Sequence, residues 1–427
     1  MNTSRREILR LAGTALAGSA FPSIIIPNSA FAGTNSETLK VGLVGCGGRG
    51  SGAAMQALKA DPNVVLHAIG DIFPERFATC LEGLMKVQPE KVKVADDHKF
   101  VGFDAFQKVI DSGVDVVLLA TPPYFRPQHL EAAIKAGKHV FCEKPVAVDA
   151  PGVRRVLEIA KVAKEKKLSL VSGFCWRFHE PKRAVFGKIN DGAIGEVMSI
   201  YNTYYTGGAW SFPRQPNWGD MEFQLRNWMY YTWLAGDHIV EQAIHSIDMM
   251  SWAMGDVMPV SAVGVGGRQV RTEPLYGHIF DHFAITYDFP NGAKGFHFSR
   301  QQENCERSYL VETFGTKGKA MANCARPTHK IEGRKPWEYT GVQNDMYQTE
   351  HNELFASIRN STPINNGEAM AKSTLLAIMG RMAAYTGKKI TFEEAMNSVE
   401  KLGPESITFD TPIPKCEVAK PGFTAFS

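Results

Sequence analysis

The run "LKVGLVGCGGRGSGAAMQALKA", Leu39 to Ala60, constrains this chain more than any other segment. It opens as a continuous apolar strand, Leu39 to Val44. It breaks at Gly45-Cys46-Gly47-Gly48-Arg49-Gly50 and resumes as an Ala-rich helix. Strand, glycine turn and helix in that order point to a dinucleotide-binding turn. Gly45 serves the tight turn, Gly47 the approach of backbone to pyrophosphate, and Gly50 the packing of helix on strand. The helix N-terminus then faces the phosphates. A second strand, "VVLHAIGD", ends at Asp71, where an acid can accept both ribose hydroxyls. A 2′-phosphate would be repelled there, so NAD is expected over NADP. Arg49 is the residue that argues the other way.

The strand–helix alternation continues to about residue 180. Val114 to Pro123, His139 to Val148 and Leu168 to Phe178 read as buried strands, and "PQHLEAAIKAGK" reads as a helix stopped by Gly137. Apolar strands joined by helices imply a parallel sheet covered on both faces, with ligands beyond the strand carboxyl ends. Thr121-Pro122, Glu143-Lys144 and Trp176-Arg177 fall at those ends. They join Gly45 to Gly50 and Asp71 as the expected cofactor contacts. Residues 38–180 are expected to form a Rossmann dinucleotide-binding domain.

From about Ala184 the rhythm changes. Val197 to Tyr205, Val260 to Arg271, His282 to Phe289 and Ala293 to Arg300 are longer runs of partly alternating polarity. Asn291 to Lys294 reads as a hairpin turn. Helices return from Gln348 to Ala384. Residues 181–427 should form an α+β substrate domain on a large, mainly antiparallel sheet. Its free face would pair subunits into a dimer or tetramer. The expected class is therefore an α/β Rossmann domain followed by an α+β domain.

One stretch of this half stands out: "GDHIVEQAIHSID", Gly236 to Asp248. On one continuous helix, at ~100° per residue, His238, Glu241, His245 and Asp248 share a face. Ile239, Ile244, Ile247 and Met250 keep that helix largely buried. A proton relay is the expectation, with no metal. A metal held by His238, Glu241 and His245 is the alternative, although all its ligands would lie on one helix.

The glycine turn, Asp71, Thr121-Pro122, "AGKHVFCEKPVAVD" and the Arg-Phe after the sixth strand together resemble the Gfo/Idh/MocA oxidoreductase family. The "GGRG" turn behind a paired-arginine leader is similar to that family's exported, sugar-acting branch. That branch includes glycoside 3-dehydrogenases and the NAD-dependent enzymes of glycoside hydrolase family 109. The resemblance implies a catalytic set of Lys144, Glu241 and His245. The last two match the family's D-x-x-x-H motif with Glu in place of Asp. Glu reaches one bond further, so it is expected to bind substrate or to orient His245. His245 would take the hydroxyl proton. Lys144 would stabilise the alkoxide and place the nicotinamide ribose. The loop-rich, aromatic stretch Tyr201 to Trp233 suits sugar rings. Tyr205, Trp210, Arg226 and Trp228, with His238, are the expected substrate contacts.

Residues 1–32 read as a leader. Paired arginines in "SRREILR" precede an apolar stretch, Leu11 to Ile26, and "SAFA" ends a cleavage pattern at Ala32. Pro22 and Pro27 argue against a permanent span, so no membrane anchor is expected. The leader resembles a twin-arginine signal and implies the periplasm, which has no obvious pool of free NAD. Tightly bound NAD and a reaction that restores it follow as expectations. The substrate would be a sugar or glycoside oxidised at C3. The hydride could pass to another acceptor, or return after elimination and hydration in a net glycosidase reaction. A non-catalytic exported sugar-binding protein is the rival. A net charge of +3 over 427 residues gives no reason to expect nucleic acid. Cys305 and Cys324 are thiols that could pair.

Overall fold

The computed structural model describes residues 37–415 and 417–425. The expected leader lies outside them. The first sheet holds β1 Leu39–Val44, β2 Val64–Asp71, β3 Lys99–Val101, β4 Val116–Leu119, β5 His139–Cys142 and β6 Leu170–Ser172. Its order is β3-β2-β1-β4-β5-β6, and every pairing is parallel. Helices α1 Gly48–Ala60, α2 Glu75–Val87, α3 Ala105–Asp111, α4 Arg126–Lys135 and α5 Ala150–Glu165 connect the strands. All of β4 is buried because both faces are covered. The chain order reverses between β1 and β4, so their carboxyl ends open a crevice there. Three strands are shorter than expected, and β4 covers only Val116–Leu119 of the run from Val114 to Pro123. β5 stops before Glu143-Lys144, and β6 before a 3-10 turn over Cys175–Phe178.

After α6 Glu180–Asn190 comes a nine-stranded sheet ordered β14-β13-β12-β11-β7-β10-β9-β8-β15. Its strands are β7 Val197–Thr206, β8 Ser261–Gly267, β9 His282–Asp288, β10 Lys294–Gln301, β11 Leu310–Gly315, β12 Gly318–Asn323, β13 Thr328–Gly333, β14 Trp337–Glu338 and β15 Ile390–Thr391. β7 and β10 run parallel and every other pair antiparallel. Short helices α7 Asp220–Arg226, α8 Thr232–Ala235, α9 His238–Glu241 and α10 Ile244–Ala253 join β7 to β8. Strand alternation sends Phe283, Ile285 and Tyr287 into the core. Val263, Val265, Phe298 and Tyr201 lie on the opposite, open face.

Three segments cross the boundary expected at residue 181. Helix α11, Met346–Arg359, returns to the first domain and packs on α1. Its Leu354 and Phe355 enter the core around β1, and Arg359 pairs with Asp61 at 2.8 Å. Helix α12, Gly367–Thr386, is buried on almost every side and packs on both α5 and β8. A helix apolar around its circumference belongs between layers. Beyond α13 Phe392–Asn397, the chain crosses back over the first domain, where Phe409 meets Phe103 at 5.0 Å and Phe73 at 6.3 Å. Cys305 and Cys324 are free thiols. No helix among the described residues is long and apolar enough to cross a membrane.

Candidate active site

The carboxyl ends of the first sheet open into a cleft of about 900 Å³ that both domains line. Gly45 turns at φ +96°, and its N–H donates to Gly70 O at 2.8 Å. A Cβ there would sit 2.8 Å from the Ala120 carbonyl carbon and 2.9 Å from Thr121 N. Only glycine lets the ends of β1 and β4 approach so closely. The cap of α1 is Gly47, which leaves the first-turn amides without a side-chain partner beside the cleft. That cradle suits an anionic pyrophosphate, so the loop fits a dinucleotide. Asp71 closes the turn, with Oδ2 accepting from Cys46 N at 2.7 Å and Oδ1 from Phe73 N at 2.9 Å. Gly48, Gly50, Thr121, Pro122 and Glu143 also line the wall.

Arg49 turns away from Asp71 toward β5. Its Nε lies 2.5 Å from Glu143, its Nη2 3.4 Å from Glu350, and its guanidinium over Tyr347. Burial, then the neighbouring Glu143 charge, pushes Glu350 well above the usual carboxylate range. Glu143 is then the carboxylate that balances Arg49.

Lys144 leaves the end of β5 and reaches across to the second domain. Its Nζ donates to the Glu241 main-chain oxygen at 2.5 Å and lies 3.3 Å from Glu241 Oε1. The two side chains are 13% and 10% exposed. His245, from α10, lines the same wall. Its Nδ1 is sealed without a hydrogen-bond partner, and Nε2 opens to the cleft. Burial, then Lys144 and Lys182, hold this imidazole well below its usual range, so it is neutral near pH 7.

The stretch Gly236 to Asp248 is not one helix. Gly236 and Asp237 both take positive φ and start α9, which ends at Glu241. α10 begins at Ile244. Between them, Gln242 N and Ala243 N both reach His238 O. The break sends four polar side chains to three places, the core, the cleft wall and a buried ion pair. His238 is fully buried with Nδ1 3.1 Å from Phe280 O. Glu241 meets Lys144, His245 faces the cleft, and Asp248 binds Arg177 at 2.8 Å. The shared stripe does not form, and the metal alternative loses its ligand set. Among the described residues, no group of three His, Cys, Asp or Glu is placed to hold a metal ion.

Five expected contacts lie elsewhere. His238 is in the core and not at the substrate. Arg177 is buried between Asp248 and Asp256, at 2.8 and 2.6 Å, and not at the cofactor. Trp176 stands behind His245, ring centroids 5.1 Å apart, rather than in the cleft wall. Tyr205 lies on the open face of the large sheet, beside Arg300 at 4.8 Å. The pleat gives the cleft Tyr204 instead. Arg226 pairs with Glu75 and Glu222 and stacks on Phe73, which ties α7 to the first domain. Trp210 and Trp228 do line the cleft, edge to face at 5.6 Å. Sequence reasoning missed Tyr204, Gln242, Tyr347 and Arg126, all in the cleft wall. Arg126 is buried and donates to Thr121 O at 2.8 Å and Pro145 O at 2.6 Å, joining the loops after β4 and β5. None of these belongs to a motif of fixed spacing.

A glycine turn on a parallel sheet, a cleft between two domains, and a lysine, a carboxylate and a neutral imidazole at one wall define a dinucleotide-dependent oxidoreductase. Residues 39–174 match the family described as "Oxidoreductase family, NAD-binding Rossmann fold", and residues 183–321 match the "GFO/IDH/MocA C-terminal domain". The chain belongs to the Gfo/Idh/MocA oxidoreductase family. It is 25% identical over 371 residues to a myo-inositol 2-dehydrogenase of Thermotoga maritima, covering 85% of this chain and 99% of that one. It is 27% identical over 200 residues to the 2,7-anhydro-N-acetylneuraminate hydratase of Escherichia coli K12, covering 47% and 49%. A solved aldose-aldose oxidoreductase from Caulobacter crescentus has the same fold. Its TM-score is 0.65 at 21% identity, over 83% of this chain and 100% of that one.

Proposed function

We propose that the chain is a periplasmic NAD-dependent oxidoreductase that removes hydride from a sugar or glycoside hydroxyl carbon, C3, with tightly held NAD. One observation carries this. Lys144, Glu241 and the open nitrogen of His245 meet in the cleft that begins at the Gly45–Gly50 turn. NAD bound there supplies the hydride acceptor. The neutral His245 accepts the hydroxyl proton, and the Lys144 ammonium stabilises charge as it develops on oxygen. Glu241 holds Lys144 in place, a role that suits the longer carboxylate. Trp210 and Trp228 offer ring faces to the C–H side of a sugar. Asp71, and the turn of Arg49 toward Glu143, support NAD over NADP. A relative named as an inositol dehydrogenase supports a polyol or sugar substrate.

A second reading is favoured by the relative named as a hydratase, since hydration is redox-neutral. Oxidation at C3 acidifies the adjacent C–H, the aglycone is eliminated, water adds, and the hydride returns to C3. The net reaction is glycoside hydrolysis. Twin-arginine export of a folded protein would carry NAD out with the enzyme. The open sheet face, with Val265 69% exposed, is the proposed surface for a homodimer or homotetramer.

A glycoside panel scored for keto product and free aglycone separates the two readings. Lys144→Ala and His245→Ala should keep NAD and lose turnover by about a hundredfold or more. Unchanged turnover would remove the site. Native mass spectrometry of protein taken from the periplasm should find NAD bound. Cofactor-free protein that works only with added NAD would refute retention. A wild-type protein that binds a glycoside and never turns it over would favour the sugar-binding rival.

A further inference from the structure

This inference rests on His245 as the base. A catalytic imidazole is usually aimed by an acceptor on its far nitrogen, which also stabilises the proton it gains. His245 has none, because Nδ1 is buried without a partner. Rings set its plane instead. Trp176 stacks on it at 5.1 Å with planes 29° apart, and Phe174 meets it edge-on at 6.1 Å. The Lys182 ammonium lies over Trp176, 5.5 Å from the ring centroid. Lys182 is 3% exposed and sits 3.0 Å from His179 Nδ1. Among the described residues it forms no ion pair with a carboxylate. A buried ammonium without a counter-charge is costly, so its place beside the site calls for a function.

We propose that Trp176 and Lys182 are positioning residues for His245. The indole fixes the plane of the imidazole, and the ammonium occupies the indole so that its π face does not draw positive charge onto the imidazole. An indole face attracts a stacked cation. Left alone, Trp176 would favour a protonated His245, which cannot take a substrate proton. With Lys182 already over the ring, a second cation there meets repulsion. The other groups on this wall are Lys144 after β5, Glu241 on α9, Cys175 beside Trp176 and Tyr204 on β7. Lys144 acts in the same sense as Lys182, and Glu241 is engaged with Lys144. His179 and His329, near Lys182, are pushed down to about 3 and about 4, in each case by burial and then by Lys182, and stay neutral.

NMR on the NAD-loaded protein with ¹³C-labelled histidine tests this. His245 is identified as the signal missing from His245→Gln. In Lys182→Met, close in length and uncharged, His245 should titrate higher by about half a unit or more. On whichever sugar the panel identifies, Trp176→Leu should lower kcat with NAD affinity unchanged, and Trp176→Phe should restore it. A His245 titration in Lys182→Met within about 0.2 unit of wild type overturns the proposal. So does equal turnover in the Leu and Phe variants. If His245→Gln keeps full turnover, the base assignment fails, and the titration still decides whether Lys182 acts on the ring.

Discussion

Gly45→Ala is the sharpest test of how the two strand ends form the dinucleotide crevice. The new Cβ would meet three backbone atoms of the β4 end, Ala120 C at 2.8 Å, Ala120 O at 2.9 Å and Thr121 N at 2.9 Å. Backbone cannot rotate away as a flexible side chain can. Relief of such overpacking costs ~1–3 kcal/mol. Holding alanine near the observed φ of +96° costs ~1–2 kcal/mol more. Together the loss is ~2–5 kcal/mol, a large part of an ordinary stability of ~5–15 kcal/mol. Any relief by outward movement of Thr121-Pro122 widens the gap that the pyrophosphate must bridge. A misfit of ~1.4 kcal/mol there weakens NAD about tenfold. Gly83→Ala is the control. Gly83 is exposed within α2 with no atom within 4 Å of a new Cβ, so alanine should stabilise by ~1 kcal/mol. Urea unfolding and calorimetric titration of NAD into stripped protein measure both effects. A Gly45→Ala protein with an unchanged midpoint and NAD affinity within about twofold of wild type would refute the packing argument.

Arg177→Leu leaves the buried Asp248 and the partly buried Asp256 without their arginine partner. It should cost ~3–5 kcal/mol in urea unfolding with NAD affinity unchanged; weakened NAD alone would restore Arg177 to the cofactor site. Burial, with Arg126 adding, pushes His129 down to about 3, and burial, with His238 adding, does the same to His297. The unfolded chain takes up those protons at ~6.5 and the folded chain does not until about 3, so stability is whole above ~6.5 and falls with pH below it. The slope should be ~1.4 kcal/mol per unit for each histidine, and His129→Gln should flatten it by about one proton between pH ~6 and ~4.5. Phe409→Ala removes two ring contacts from cleft-lining Phe103 and Phe73, and stopped-flow release of NAD should become about tenfold faster.

Much of the first domain was legible because its signals are local. The apolar run from Leu39 to Val44, the glycines after it and Asp71 lie within 33 residues, and each acts on its chain neighbours or on a neighbouring strand. Lys144 could be placed at a strand end, and Glu241 and His245 could be matched to a motif. Nothing local reveals that the helix carrying them breaks at Gln242, because both pieces pack on the distant helix α12 and α10 packs on β7 as well. Arg177 read as a cofactor contact because its partner Asp248 lies 71 residues away. Tyr204 and Tyr205 were exchanged because one residue of register inverts every side chain on a strand.

By itself, then, the sequence determined the strand–helix alternation of the first domain, the dinucleotide turn and the residue types the chemistry needs. Periodicity, glycine geometry and strand termination act over a few residues, and the chain states them directly. Tertiary structure decided which polar side chains face the cleft and which pair off in the core, and it sent α11 home to the first domain. Those outcomes depend on where distant carboxylates, rings and carbonyls finish, and burial charges a free-energy cost that only the assembled fold can assess.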